Sequence, residues 1–234
     1  MSNNAEKFLD IFNRIEKHLK SKYNNGIYLP FHDLIRRASD KEGVIKRFRE
    51  DLYAYADLRN VMVHNSRING KIIAEPLDEV IARIEQIWNQ IEHPEKVSKF
   101  KKKVYYCFSD DKLEKALEFM REHKISQVPI IEKGVIIDVL NPNHIADWLT
   151  TKEIVSPSEV SIAEVLENAE RNKNFEIISG NMSVFDAAEI YKSSFRKHPV
   201  NWYYDALIIT PTGKAEDQMI GIIVLKDIAE YISV

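Results

Sequence analysis

The stretch 59-RNVMVH-64 brings together three residue types that could do chemistry on a phosphate group. The Arg59 guanidinium can give bidentate support to a phosphoryl group as negative charge develops on it. The His64 imidazole titrates near neutral pH and therefore suits proton transfer. Asn60 adds a side chain that can position groups by hydrogen bonding. The three residues form either a catalytic set or the polar side of an ordinary helix.

The spacing in the predicted helix separates Arg59 from His64. The side predicted to face the core carries Ala54, Leu58, Val61, Met62 and, near its edge, Tyr55. The opposite side is a polar stripe of Tyr53, Asp57, Asn60 and His64. Arg59 lies about 140° from His64 around an ideal helix, so their side chains do not converge within it. Either the helix frays at its end, or a second copy of the chain supplies the partner across a two-fold axis.

The composition is that of an ordinary soluble protein. The 234 residues are 44% hydrophobic and 29% charged, which is enough chain for two modest domains. No apolar run approaches the roughly 18 residues that span a bilayer, and the N-terminus lacks the pattern of a signal peptide. Cys107 is the single cysteine, which excludes an intramolecular disulfide and a cysteine-based zinc site. The net charge of −3 does not indicate a nucleic-acid binder, and a cytoplasmic location is expected.

Hydrophobic periodicity changes near residue 100. The first part predicts helices at about 5–23, after Pro30, at 44–64 and at 77–91, joined closely enough for an antiparallel bundle. The second part predicts strands at 104–108, 128–132, 135–140, 175–179, 204–210 and 219–225, with helices between and after them. The order strand, helix, strand, strand, helix occurs twice, which indicates an internal repeat of roughly 80 residues. The predicted fold class is therefore α+β.

Four lysines in 99-KFKKK-103 lie where the two parts meet. One interpretation is a solvated basic linker over 98–103, and the other is a local patch that attracts phosphate.

The second part resembles a tandem pair of CBS domains, the small module named after cystathionine β-synthase. The resemblance covers 104–234, with repeat one at 104–150, a connecting segment at 151–174 and repeat two at 175–234. It depends on 221-GIIVLKDIAEYI-232, in which a glycine and three apolar residues precede a helix that an aspartate opens. The resemblance implies two β-α-β-β-α repeats that close one core. It also implies an adenosine-containing ligand, such as ATP, ADP, AMP or a related compound, in a cleft between the repeats.

Asp227 is the residue expected to bind that ligand. At a helix start, its carboxylate can accept from two ribose hydroxyls while nearby amides face phosphate; the alternative is that it only caps the helix. The predicted ligand-binding set is completed by Lys226, Asp205, Ser179 and Arg196. The sequence departs from the family pattern at Val224, where a hydroxyl residue is usual. In the first repeat, Asn141 and His144 occupy the hydroxyl and aspartate positions, so ligand binding there is left open.

The segment 59-RNVMVH-64 resembles the signature of HEPN domains, helical domains of which many are metal-independent endoribonucleases that act as dimers. The resemblance covers residues 1–97. It implies that Arg59 holds the scissile phosphate, that His64 transfers a proton as the 2′-hydroxyl attacks, and that Asn60 positions groups by hydrogen bonds. The product would be a cyclic phosphate, and neither a metal ion nor another cofactor is implied for catalysis.

Three functions follow from these observations as alternatives. The first is a ligand-regulated endoribonuclease, in which a homodimeric helical bundle cleaves single-stranded RNA and the CBS pair senses an adenine nucleotide. The second is a non-catalytic nucleotide sensor whose bundle only dimerises, with Arg59 paired at the dimer seam and His64 capping its helix. The third is an enzyme that acts on nucleotides rather than RNA. No membrane partner is expected.

Overall fold

The computed structural model describes residues 4–24, 26–64, 74–152, 154, 156–167, 173–197 and 204–232, apart from the side chains of residues 64 and 195–197. The chain divides into two compact units, Met1–Glu95 and Lys96–Val234. The described part of the first unit is helical, and that of the second contains two three-stranded mixed sheets. The α+β fold class is thus confirmed.

The helices of the first unit are α1 (Asn4–Tyr23), α2 (Phe31–Ser39), α3 (Gly43–Arg47), α4 (Arg49–His64) and α5 (Asp78–Glu92). α1 packs against α5, and its buried residues Phe8, Ile15 and Leu19 recur at helical spacing. The predicted helix over 44–64 is two helices, because the backbone leaves the helical conformation at Phe48, with φ −103° and ψ 17°.

The predicted core face of α4 is wrong at two of its positions and right at Met62 and Tyr55. Ala54 is exposed and Val61 retains 41% of its accessible surface. The buried residues of α4 are Leu52, Tyr55, Ala56 and Met62. Apolar residues occur on every side of this helix, so their spacing does not identify the side that packs.

The second unit contains the predicted repeat. Its elements are β1 (Cys107–Phe108), α6 (Leu113–His123), β2 (Val128–Glu132), β3 (Val135–Leu140), α7 (Pro142–Leu149), α8 (Ile162–Glu167), β4 (Phe175–Ser179), α9 (Val184–Lys197), β5 (Ala206–Thr210), β6 (Gly221–Ile223) and α10 (Leu225–Ile232). In each sheet the first two strands are parallel, and they are joined through a helix because a parallel pair requires a crossover. The third strand is antiparallel to the second. α8 lies between the two repeats and has no counterpart in the predicted elements.

The two sheets share a core. Ile136 and Val139 of β3 pack with Phe175, Ala206 and Ile208 of the second sheet. A second cluster fills the first repeat around Trp148 and Cys107, both of which are fully buried. Burial raises the pKa of the Cys107 thiol to about 11, so the single cysteine of the chain is a packing group at neutral pH.

Residues 96–103, here named the basic strap, lie along the second repeat. The Val97 amide donates to the Met182 carbonyl at 2.9 Å, and the Lys102 amide donates to the Ile220 carbonyl at 3.2 Å. A Cβ at Gly221 would lie 2.7 Å from the Phe100 carbonyl oxygen, so glycine is required for this approach. Because the strap pairs with the other repeat, β1 is shorter than the predicted strand over 104–108.

Candidate functional site

A cleft of about 570 Å³ opens in the second unit beside the start of α10. Its lining residues come from 102–105, 123–127, 222 and 224–226, together with Asp205. The strap and the loop after α6 therefore form one wall, while the end of β6 and the first turn of α10 form the other. Small-molecule sites commonly have volumes of about 300–1,000 Å³, so a nucleotide-sized ligand fits this cleft.

Asp227 is the third residue of α10 and directly follows Lys226, which lines this cleft. Its Oδ2 accepts a hydrogen bond from the Val224 amide at 3.0 Å and lies 3.3 Å from Lys102 Nζ. The carboxylate therefore caps the helix and also pairs with the strap. Within the described residues both contacts go to Oδ2, so Oδ1 can accept a hydrogen bond from a ligand.

Aromatic rings line the strap side of the cleft. The Tyr105 ring stacks on the His123 ring with centroids 3.6 Å apart and an interplanar angle of 17°. Lys103 Nζ lies 4.9 Å from the Tyr105 centroid, within the range of a cation–π contact. Ile222 and Leu225 line the cleft as well. Flat rings and apolar side chains of this kind suit a planar base.

Positive charge dominates the rest of the lining. The cleft carries four lysines, Lys102, Lys103, Lys124 and Lys226. Lys124 ends α6 in the left-handed conformation, with φ 52°, where glycine is the usual residue. Sequence reasoning missed Lys124, because a lysine after 111-DKLEKALEFMREH-123 looks like any residue at a helix end. The lining also includes Asp205, whose Oδ2 accepts hydrogen bonds from the side-chain amides of Asn141 and Asn174.

The family model of the CBS domain matches residues 97–151. No family model matches the helices before residue 97, and no curated protein is similar to the chain.

Solved structures with CBS domains are similar to the C-terminal part. The CBS domain of a bacterial CNNM/CorC family Mg²⁺ transporter in complex with ATP is 20% identical, with 64% of this chain and 93% of that chain covered and a TM-score of 0.43. CBSX2 in complex with AMP is 14% identical, with coverages of 58% and 94% and a TM-score of 0.42. The CBS domains of a transcriptional regulator from Streptococcus pneumoniae are 14% identical, with coverages of 58% and 97% and a TM-score of 0.41.

The structure gathers some of the predicted ligand-binding residues and separates others. Lys226 and Asp205 line the cleft, whereas Asp227 is not among the lining residues and pairs with one of them, Lys102. Ser179 does not line it: its hydroxyl donates to the Pro211 carbonyl at 3.1 Å, at the end of β4 opposite to Asp205. Arg196 belongs to the last turn of α9, and its side chain lies outside the described residues.

The corresponding positions of the first repeat form a hydrogen-bonded cluster. Asp205 Oδ2 accepts from Asn141 Nδ2 at 2.6 Å and from Asn174 Nδ2 at 2.8 Å. Asn141 Oδ1 in turn accepts from the His144 amide at 2.8 Å and caps α7. Burial raises the pKa of Asp138, which also lies near His144 and Asp205. Asp205 is therefore held by the first repeat while it faces the cleft.

In the helical unit, Arg59 and Asn60 are adjacent near the end of α4. Arg59 Nη1 donates to Asn60 Oδ1 at 3.4 Å, and Asn60 is exposed. His64 is the last residue of α4, and its side chain lies outside the described residues, so the predicted Arg59–His64 arrangement stays a prediction.

The polar stripe of α4 also contacts α2. His32 lies 3.8 Å from the Asp57 carboxylate, and its ring centroid is 5.1 Å from that of Tyr53. Contacts between helices therefore explain the polar side chains of Asp57 and Tyr53, two of the four residues in the stripe.

The described ranges lack two further features. They contain no group of three or more His, Cys, Asp or Glu side chains suited to a metal ion. None of the helices in that part of the chain is both long and apolar enough to cross a membrane.

Proposed function

We propose that the C-terminal unit is a regulatory module that binds an adenine nucleotide in the cleft beside Asp227. The observation that carries this proposal is that the stacked Tyr105–His123 pair and four lysines line one cleft, with Asp227 paired to one of them, Lys102. The CBS-domain match over 97–151 supports it, because that segment contributes the strap and the loop after α6.

Each part of a nucleotide has a partner of suitable chemistry in this cleft. The ribose hydroxyls donate to Asp227 Oδ1, while Oδ2 continues to cap α10. The base lies against the Tyr105–His123 pair and the apolar side chains. The phosphates meet the lysine ammonium groups and the amides of the first turn of α10.

The test compares Asp227→Ala with Asp186→Ala. Both aspartates are the third residue of a helix, and Asp186 exchanges capping hydrogen bonds with Ser183 at 2.6 and 3.0 Å. Because both substitutions remove a carboxylate from a helix start, they are expected to cost similar stability. Only Asp227→Ala is expected to weaken ATP, ADP or AMP binding, by about tenfold or more.

Isothermal titration calorimetry on the full chain measures the affinities, and nucleotide-dependent melting temperatures give an independent readout. Retained affinity in Asp227→Ala would remove the ribose role of Asp227. Equal losses in both variants would mean that Asp227 acts only through helix stability.

A second candidate function concerns the helical unit. We infer that it cleaves single-stranded RNA without a metal ion, as a homodimer that joins Arg59 of one copy to His64 of the other. This is supported by the pair of half-buried Arg59 and exposed Asn60, and by the exposed Val61 and Val63 beside it, at 41% and 47%. Exposed apolar residues next to polar ones are typical of a surface that another copy covers. The nucleotide bound by the C-terminal unit regulates the cleavage.

Arg59→Ala and His64→Ala test this second function. Each is expected to remove most RNA cleavage in the presence of EDTA, and their losses are not expected to add, because both residues serve one transition state. Mixing the two variants is expected to restore part of the activity through mixed dimers. Arg49→Ala is the matched control, since Arg49 lies in the same helix and pairs with the exposed Glu50. RNA that stays intact with and without adenine nucleotides, for a confirmed wild-type dimer, would leave dimerisation as the role of the bundle.

A further inference from the structure

The lysines of the cleft differ in whether they already form an ion pair with a carboxylate. Lys102 pairs with Asp227 at 3.3 Å. Within the described residues, Lys103, Lys124 and Lys226 form no ion pair with a carboxylate. The Asp205 carboxylate, which also lines the cleft, accepts hydrogen bonds from Asn141 and Asn174. The three ammonium groups outnumber the Asp205 carboxylate, so the lining of the cleft carries a net positive charge.

Two of these lysines occupy positions that disfavour them in the unliganded protein. Lys226 is the second residue of α10, where the helix dipole repels a cation. Lys124 has φ 52°, a conformation that is strained for any residue with a Cβ. A bound anion would offset the unfavourable position of Lys226. The left-handed backbone would direct the Lys124 ammonium group toward the same anion.

The charge of adenine ligands increases with the number of phosphates. Adenosine is neutral, the monophosphate carries about two negative charges at neutral pH, and each further phosphate adds about one more. Two charged partners would balance the monophosphate, whereas three ammonium groups in one cleft, beside Lys102, complement a longer anion. Each additional charge-assisted hydrogen bond can contribute about tenfold in affinity, which is enough to discriminate between these ligands.

We propose that this cleft selects adenine nucleoside di- and triphosphates over the monophosphate, and that Lys103, Lys124 and Lys226 provide the selectivity by binding the distal phosphates. This inference rests on the proposed nucleotide-binding function. It adds the class of nucleotide and the residues that determine it. The module then responds to the phosphorylation state of the nucleotide rather than to adenosine itself.

The experiment measures the affinities of adenosine, AMP, ADP, ATP and inorganic tripolyphosphate for the full chain by calorimetry, at fixed low salt and without divalent cations. ADP and ATP are expected to bind at least about tenfold tighter than AMP, and the preference is expected to shrink as salt is raised. Lys124→Met and Lys226→Met are expected to reduce ADP affinity several-fold while AMP affinity changes little.

Lys133→Met is the matched control for Lys124→Met. Lys133 also has a left-handed backbone, with φ 49°, but does not line the cleft. It is expected to leave the ratio of ADP to AMP affinity unchanged. Circular dichroism melts confirm that each variant folds before its affinities are compared.

The outcomes separate this inference from the proposed function. AMP binding as tight as ADP binding, or equal losses of both in the lysine variants, would overturn the selectivity and leave nucleotide binding intact. Binding of tripolyphosphate with no contribution from adenosine would support the lysine cluster and overturn the adenine-nucleotide function. Failure of all five ligands to bind would overturn both.

Discussion

The two repeats end in the same strand-to-helix backbone but use it differently. Residues 138–144 lead from β3 into α7, and residues 221–227 lead from β6 into α10. In the first repeat the side chain before the helix, Asn141, accepts from the His144 amide. In the second repeat the order is reversed, because the Asp227 carboxylate accepts from the Val224 amide. Each repeat therefore makes one half of a capping box.

This difference determines which repeat has a carboxylate available for the proposed ligand. Asn141 and His144 are only 6% and 8% exposed, and Asn141 is bonded to Asp205 inside the unit. Asp227 pairs instead with Lys102 of the strap, which lines the cleft. Two similar backbones therefore serve different purposes. The first repeat contributes a buried polar contact between the repeats, and the second contributes the first turn of α10 to the cleft.

The largest effect is expected from Gly221→Ala. The added Cβ would lie 2.7 Å from the Phe100 carbonyl oxygen and 3.1 Å from Ile209 Cδ1, so the strap must move. We expect a loss of about 3 kcal/mol in the free energy of unfolding and weaker nucleotide binding, since the strap carries Lys102 and Lys103. Chemical denaturation and calorimetry measure these changes.

Gly180→Ala is the control for this substitution. Its Cβ would meet the flexible end of Ile220 at 3.2 Å, which can shift at little cost. Similar losses in the two variants would show that the close approach of the strap is not what requires glycine at position 221.

The second largest effect is expected from Asn141→Ala. The change removes the cap of α7 and one of the amide groups that hold Asp205. Because these groups are buried, we expect a loss of about 2 kcal/mol in the free energy of unfolding. Asn143→Ala is the control, since Asn143 is exposed in the first turn of the same helix. A loss within about 0.5 kcal/mol of the control would mean that this cap does not stabilise the first repeat.

Local sequence patterns predicted the repeats because each strand has a distinct composition. The predicted strands at 128–132, 135–140 and 175–179 agree with β2, β3 and β4. The strand over 104–108 was predicted too long, since the strap before it pairs with Gly221 of the other repeat. No local pattern encodes a pairing partner more than 100 residues away.

The candidate residues were selected from the sequence only where their position along a helix carries the information. Asp227 and Lys226 were selected from the start of α10; Lys226 lines the cleft, and Asp227 pairs with Lys102 of its lining. Lys124 also lines the cleft but was not selected, because the sequence reveals neither its left-handed backbone nor the fold that brings it there. Ser179 was selected from the sequence but lies at the other end of its strand.

Val224→Thr is expected to give the second repeat both halves of its capping box, where each repeat now has one. The Asp227 amide donates to the Val224 carbonyl at 2.8 Å, and a hydroxyl at this position gives that amide a second acceptor, as the Asn141 side chain accepts from the His144 amide. We expect a gain of about 1 kcal/mol in the free energy of unfolding, with nucleotide affinity raised several-fold because the hydroxyl lines the cleft. Val224→Ala shortens the side chain without adding an acceptor and serves as the control. A Thr variant no more stable than the Ala variant would contradict the capping interpretation.

The smallest effect is expected from Asp138→Asn, at the position that corresponds to Gly221. Burial raises the pKa of Asp138 above its ordinary value of 3.8, while the Val139 amide and His144 act to lower it and Asp205 acts to raise it. A carboxyl whose pKa is raised by folding stabilises the protein fully below its unfolded pKa, and this stabilisation is lost as pH rises through the folded pKa. At pH 7 the ionised carboxylate is therefore unfavourable relative to asparagine, which keeps an oxygen for the Val139 amide. We expect Asp138→Asn to raise the melting temperature by about 2 °C at pH 7, and the difference to disappear near pH 3.5, where Asp138 is protonated.

Asp147→Asn, an exposed change on α7, is the control and is expected to have no effect on the melting temperature at either pH. A lower melting temperature for Asp138→Asn at pH 7 would mean that the ionised carboxylate stabilises the cluster through the Val139 amide and His144.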